Sequence, residues 1–159
     1  MSAKETSLVI VESPSKARTI KKYLGKNFEV EASVGHVIDL PKSKFGVSIE
    51  EGFKPQYIKI RGKEKIIKQL NTHAKKVSKV YLATDPDREG EAIAYHIASI
   101  LNKQKEDILR IEFNEITRNA VTKAIDLDSF KTRDSMNQFF LNRLRQTGRK
   151  TIRVILITA

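Results

Sequence analysis

The sequence contains no cysteine among its 159 residues. This absence excludes disulfides and thiolate metal sites, and it agrees with a cytoplasmic location. The longest apolar runs have the length of a strand, so no segment is predicted to cross a membrane. Residues 1–7 lack the basic and then apolar pattern of an export signal. We therefore expect a cytoplasmic protein with no membrane partner.

Two familiar kinds of functional motif are also missing. There is no Gly-x-x-x-x-Gly-Lys-Ser/Thr loop, which argues against a P-loop NTPase. The three histidines, His36, His73 and His96, do not have the spacing of a three-histidine metal site. His73 and His96 fall on predicted helices, and we assign them no chemistry.

Acidic residues are outnumbered by basic ones. Thirty Lys and Arg against nineteen Asp and Glu give a formal net charge of +11. Residues 1–125 carry 23 basic and 16 acidic groups, and residues 126–159 carry 7 and 3, so the excess is not confined to a tail. Such a field attracts polyanions such as nucleic acid, although solubility is an alternative explanation.

Strand and helix patterns alternate along the chain, which predicts an α/β fold with a largely parallel sheet. Residues 35–52 read as a long loop, and we treat 1–125 as one domain and 126–159 as an unassigned tail. The tail contains a possible short helix near Phe139 and a strand-like end over 151–159. Strands are predicted at 8–11, 28–33, 79–84 and 108–113, and helices at 14–24, 63–76, 91–101 and 117–124.

An acidic cluster, Asp-Pro-Asp-Arg-Glu-Gly-Glu, follows the third predicted strand. In an extended turn Asp85, Asp87 and Glu89 project the same way, because they are two residues apart. Several hard oxygen ligands at the carboxyl edge of a parallel sheet favour Mg²⁺, which uses one or two carboxylates and keeps water or phosphate elsewhere. The alternative is an acidic helix start, and for Glu89 alone we favour it.

Glu12 ends the first predicted strand and would face the same cleft if the two strands are neighbours. Nearby carboxylates would raise its pKa, which suits a general acid. It could equally be an ordinary residue at a strand end. Ser13 and Pro14 favour a helix start, and Lys16, one turn further, could reach a phosphate held at that helix N-terminus.

Arg88 and His36 each have two interpretations. The Arg88 guanidinium could be an internal ion-pair partner of the acidic cluster or a bidentate phosphate clamp. His36 follows Gly35 where a strand breaks, and its imidazole could contact phosphate. A lone histidine in a loop is more often structural.

Long segments of the chain closely resemble the Toprim domain of bacterial type IA DNA topoisomerases, as in topoisomerase I. The resemblance covers roughly residues 8 to 125, in the order found in that family. The matching segments are VIVESPSKA, ASVGHVIDLPKSKFGV, GKE, ATDPDREGEAIAYH and FNEIT.

This resemblance implies a Rossmann-like sheet flanked by helices and ATP-independent, Mg²⁺-dependent relaxation of negatively supercoiled DNA. It implies that Glu12 acts near the scissile phosphate and takes part in metal binding. Asp85, Asp87 and Glu89 would hold Mg²⁺, Lys16 and Arg88 would stabilise the phosphate, and His36 would lie near the DNA backbone. The expected partner is single-stranded or negatively supercoiled DNA in the bacterial nucleoid.

The sequence departs from the family in two respects. Type IA enzymes cut DNA with a tyrosine on a separate domain, and none of Tyr23, Tyr57, Tyr81 and Tyr95 has that context. The family continues with an Arg-Arg-x-x-Asp-Arg segment, but residues 138–143 lack its arginine pair and its aspartate, and no match follows Arg143. We therefore expect a fragment limited to Mg²⁺ and DNA binding, with the remainder of a topoisomerase as its partner. The alternatives are a stand-alone metal-dependent nuclease and a non-enzymatic accessory that binds nucleic acid through charge alone.

Overall fold

A computed structural model describes residues 5–126. A four-stranded sheet forms its centre, and every neighbouring pair of strands is parallel, in the order β2-β1-β7-β8. The strands of this sheet are β1 (Ser7–Val11), β2 (Phe28–Ala32), β7 (Lys79–Leu82) and β8 (Ile108–Arg110). The helices are α1 (Pro14–Tyr23), α2 (Glu64–Lys76), α3 (Arg88–Ile100) and α4 (Arg118–Asp126). The predicted α/β class and parallel sheet are confirmed.

The two faces of the sheet support separate hydrophobic layers. On β1, Leu8 and Ile10 are fully buried in the layer that α2 and α3 cover. Val9 and Val11 belong to the opposite layer, with Ile20 of α1 and Val121 of α4. Successive strand residues point to opposite faces of the sheet, and a hydrophobic layer lies on each face. Every β1 side chain is therefore covered. Full burial of such an aliphatic side chain contributes about 1.5–3 kcal/mol.

Helix boundaries follow local capping chemistry. Ser13 has extended backbone geometry, its side chain accepts from the amide of Lys16, and Pro14 takes the first helical position of α1. The predicted first helix is therefore confirmed. The third begins earlier than predicted, at Arg88 instead of Glu91, because the Asp87 side chain caps it.

Residues 38–59 form an arm between β2 and α2. It contains β3 (Ile38–Asp39) paired with β6 (Ile58–Lys59), and β4 (Val47–Ser48) paired with β5 (Lys54–Pro55), both antiparallel. The predicted loop over 35–52 thus includes two short strands. Each of these strands is only two residues long, which is too short to show the alternation that identifies a strand in a sequence. The exposed large hydrophobic residues of the described chain lie in or just before the arm: Val34, Phe45, Ile49, Phe53 and Ile58.

Within residues 5–126, no helix combines the length and apolar character needed to span a bilayer. The predicted helix near Phe139 and the strand over 151–159 lie outside the described residues, so both stay predictions. The division into 1–125 and 126–159 also stays a prediction.

Candidate functional site

The strand order brings two distant carboxylates to one edge of the sheet. β1 and β7 are direct neighbours, with Ile10 opposite Leu82. The chain leaves β1 toward β2 on one side and leaves β7 toward β8 on the other. Glu12 and Asp85 therefore meet at the point where the strand order reverses. In open α/β sheets this is the crevice where ligands bind.

Lys16 joins these two carboxylates. It lies in the first turn of α1, four residues after Glu12. Its ammonium donates hydrogen bonds both to Glu12 Oε1 and to Asp85 Oδ2. The Lys16 and Glu12 side chains are 26% and 16% exposed, and that of Asp85 is 45% exposed. The second oxygen of Glu12, Oε2, is buried and has no hydrogen-bond partner among residues 5–126.

Burial and charge separate the titration of the two carboxyls. Burial raises the pKa of Glu12, against the opposing hydrogen bond from Lys16, and Asp85 adds to the rise. Burial alone would also raise the pKa of Asp85, but hydrogen bonds with Lys16 and Glu12 and the charge of Arg110 lower it. Burial is the largest cause of the raised Glu12 pKa, and the nearby carboxylate named in the sequence-based expectation makes a smaller contribution. Of the two groups, Glu12 therefore holds a proton more readily.

The Lys16 ammonium keeps its charge in this setting. Burial would lower the pKa of Lys16, but hydrogen bonds to Asp85 and Glu12 outweigh burial and raise it. A lysine between two carboxyl groups is thus a permanent cation at neutral pH. It compensates negative charge that would otherwise be crowded at the strand ends.

The acidic turn is less extended than the sequence predicted. Asp87 Oδ1 accepts a hydrogen bond of 2.7 Å from the Gly90 amide, so one of its oxygens caps α3. Glu89 lies in the first turn of α3 with its side chain 73% exposed. The expectation that Asp85, Asp87 and Glu89 line an extended turn is therefore wrong, because the helix begins between them. Within residues 5–126 no group of three or more His, Asp or Glu side chains is already arranged to hold a metal ion.

His36 reaches the same edge from the other side of the cleft. Gly35 has a φ of +78°, which glycine adopts without steric cost. Its amide donates to the Glu12 carbonyl at 2.9 Å. This turn places His36 Nε2 3.6 Å from Glu89 Oε1.

These side chains surround an open cleft of about 430 Å³ at the carboxyl edge of the sheet. Five of the predicted site residues line it: Glu12, Lys16, Asp85, Asp87 and Glu89. His36 and Arg88 do not line it. Arg88 is exposed as the first residue of α3, so it lies at the margin of the site.

Residues 7–116 match the family described as the Toprim domain. The chain belongs to the Toprim family. It is also similar to full-length topoisomerase I from Thermotoga maritima, with 45% sequence identity and a TM-score of 0.73. That likeness covers 87% of this chain and 23% of the Thermotoga chain, so this chain spans less than a quarter of that protein's length.

The Toprim site rests on a buried ion pair that the sequence argument missed. Arg110 on β8 is fully buried, and its Nη2 donates to Glu91 Oε1 at 2.7 Å. The same guanidinium donates to the carbonyls of Asp85, Leu82 and Ile111. Arg110, and not Arg88, is therefore the internal guanidinium beneath the acidic turn.

A sequence signal for this pair did exist. Glu91 is three and six residues before Ala94 and Ile97, so it shares the apolar face of α3. A carboxylate on a buried helix face needs a charged partner. The partner's identity was hidden because β8 is distant in sequence and only the sheet order brings it near.

Gly90 fixes how closely α3 approaches the acidic turn. A Cβ at this position would lie 2.0 Å from the Asp85 carbonyl oxygen. Thr84 Oγ1 donates to the Gly90 carbonyl at 2.6 Å, which ties the end of β7 to the helix. The Toprim acidic turn is thus a short, braced segment.

Proposed function

We propose that the chain is the metal-binding and DNA-binding module of a type IA DNA topoisomerase. The observation that carries this proposal is the meeting of Glu12, Asp85 and Lys16 at the reversal point of a Toprim sheet. The likeness to topoisomerase I and the net charge of +11 support DNA as the ligand. The proposed setting is the bacterial cytoplasm, at the nucleoid.

The residues at the cleft fit Mg²⁺. Mg²⁺ prefers hard oxygen ligands, binds through one or two carboxylates and leaves other positions to water and phosphate. Glu12 and Asp85 supply such a pair, and Glu12 Oε2 is buried without a partner among the described residues. We propose Glu12, Asp85 and Asp87 as ligands, with Glu89 at the edge. When bound, the ion would neutralise phosphate charge and hold the broken DNA ends for rejoining.

The side chains of this chain have distinct proposed roles beside that ion. Glu12, whose pKa is raised by burial, is the proposed general acid for an oxygen leaving phosphorus. The ammonium of Lys16 lies near the N-terminus of α1, where a phosphate would bind. The exposed Arg88 guanidinium and His36 would contact the DNA backbone on either side.

Strand cleavage by type IA topoisomerases requires a nucleophilic tyrosine. All four tyrosines of the sequence lie within residues 5–126, and none lines the cleft. We therefore propose that the chain alone binds Mg²⁺ and DNA weakly and does not relax supercoils. The remainder of a topoisomerase is the proposed partner that supplies the nucleophile.

The test combines binding and plasmid assays. Titration with Mg²⁺ or Mn²⁺ should show binding that is weakened in Asp85→Asn and Glu12→Gln. DNA binding should weaken with rising salt and fall in Arg88→Ala more than in Lys26→Ala, an exposed control outside the cleft. Negatively supercoiled plasmid with Mg²⁺ should remain unchanged.

Three outcomes would contradict the proposal. Relaxation that Glu12→Gln abolishes would reveal a nucleophile within this chain. Metal-dependent nicking that the same variant abolishes would favour the nuclease alternative. DNA affinity indifferent to metal and to Asp85→Asn, without metal binding, would favour an accessory that binds by charge alone.

A further inference from the structure

Lys16 is placed where a metal ion would be expected to act. Its ammonium lies between Glu12 Oε1 and Asp85 Oδ2 and donates to both oxygens. These two carboxylates come from neighbouring strand ends and are the natural pair for a divalent ion. One cationic side chain therefore already occupies the space between the two principal ligands of the proposed site.

Several acidic oxygens of the cleft already have partners within the protein. Among residues 5–126, no three acidic or histidine side chains converge as metal ligands. Lys16 satisfies one oxygen of Glu12 and one of Asp85, while Asp87 is engaged in capping α3.

We propose that Lys16 is the counter-cation of the Glu12–Asp85 pair in the absence of a divalent ion. We further propose that an entering divalent ion displaces its ammonium toward bound phosphate. This inference rests on the proposed function, since it requires Mg²⁺ to bind at the same carboxylates. Lys16 then has two successive partners, carboxylates first and phosphate second.

The structure allows such a movement without a change of fold. The backbone of Lys16 is held by the capped first turn of α1, through the bond from its amide to Ser13 Oγ at 3.3 Å. Its side chain is a flexible four-carbon stem that ends in a compact charge. Lys16 lines the open cleft together with Ser13 and Pro14, so its ammonium can turn toward a ligand at the helix N-terminus.

Removing the ammonium should therefore strengthen metal binding. In Lys16→Met the stem remains but the charge that opposes the ion is absent. We expect Mn²⁺ affinity, measured by calorimetry, to rise on the order of tenfold. The reason is that a unit positive charge between the two ligands repels a divalent ion even when it is partly screened. A lysine that served only as a phosphate ligand would leave Mn²⁺ affinity unchanged.

Thermal unfolding gives a second readout that does not depend on activity. Without divalent ions, Lys16→Met should melt at a lower temperature than the wild type, because two carboxyl groups lose their shared cation. Added Mg²⁺ should raise the melting temperature of this variant more than that of the wild type. Lys21→Met, an exposed lysine on the same helix, should show neither effect.

Inorganic phosphate tests the second partner. In the presence of Mg²⁺, phosphate should stabilise the wild type further but should not stabilise Lys16→Met. Lys16→Arg, which keeps the charge, should retain the weaker metal affinity of the wild type. It also supplies a comparison if Lys16→Met is poorly folded.

The failures of the two proposals can be distinguished. If the wild type binds Mn²⁺ and Lys16→Met binds it equally or more weakly, the displacement is wrong and the metal site stands. If Lys16→Arg binds Mn²⁺ as tightly as Lys16→Met does, the charge of Lys16 is not the cause of the weaker affinity of the wild type. If the wild type binds no divalent ion and Glu12→Gln is indistinguishable from it, the proposed metal site itself fails.

Discussion

The buried pair of Arg110 and Glu91 makes a strong prediction about stability. Arg110 is 0% and Glu91 2% exposed, and their nearest polar atoms are 2.7 Å apart. Arg110→Met removes the guanidinium and leaves the Glu91 carboxylate buried without its cation. Breaking such a pair from one side costs about 3–5 kcal/mol. That is a large part of the roughly 5–15 kcal/mol by which a domain is usually stable.

The Arg110 guanidinium also donates to three backbone carbonyls, those of Leu82, Ile111 and Asp85. The Leu82 carbonyl, one of the guanidinium's acceptors, also accepts from the Ile111 amide at 3.1 Å, so it keeps a partner in the variant. The Asp85 carbonyl loses the bond from Arg110, which is 3.2 Å long. The expected loss therefore combines the loss of the Arg110 charge beside Glu91 with the loss of the bonds to the Asp85 and Ile111 carbonyls.

Urea unfolding followed by circular dichroism measures the effect. We expect Arg110→Met to be about 3–5 kcal/mol less stable than the wild type. Arg61→Met, at an exposed arginine, should change stability by less than about 0.5 kcal/mol. The double variant Arg110→Met, Glu91→Leu should be more stable than Arg110→Met alone, because neither charge remains buried.

Two results would refute this reasoning. The first is a cost for Arg110→Met below about 1 kcal/mol, the ordinary effect of a point mutation. The second is a double variant whose loss equals the sum of the two single losses, which would mean that the charges are not coupled.

Three further predictions address other parts of the fold. Burial lowers the pKa of His96 from 6.5 to about 4, so the unfolded chain binds the extra proton first as pH falls. The contribution of neutral His96 to the free energy of unfolding is fully present above pH 6.5 and falls by about 3 kcal/mol as the pH drops toward 4. Unfolding measured between pH 7 and 4 should therefore depend less on pH in His96→Phe, and an unchanged slope would count against this reasoning. Gly90→Ala should cost about 1–3 kcal/mol in urea unfolding, because the new methyl overlaps the Asp85 carbonyl. Gly25→Ala, where a Cβ meets nothing within 4 Å, should be nearly neutral, and equal effects at the two glycines would show that the clash is relieved. Phe45→Ser, at a side chain 72% exposed in the arm, should change stability by less than about 0.5 kcal/mol, and a larger loss would mean that Phe45 packs against something.

Local patterns in the sequence were sufficient to predict the fold class and the region of the site. The apolar runs of β1 and β7 are local signals, and so is the Ser13-Pro14 start of α1. They place Glu12 after one buried strand and Asp85 after another. Because parallel strands share a carboxyl edge, these patterns predicted that the two carboxylates share a cleft if β1 and β7 are neighbours, and the sheet order supplies that condition.

The pairing of the charged groups depends on contacts between elements that are distant in the sequence. The order β2-β1-β7-β8 brings Arg110 under the acidic turn and puts the Lys16 ammonium between Glu12 and Asp85. Asp87 turned out to cap α3, so the predicted extended turn was wrong. Side-chain partners across 25 or 69 residues of sequence depend on sheet order and helix approach, which residue spacing does not encode. Periodicity specifies which face of an element is buried, and packing between elements then selects the partner of each buried charge.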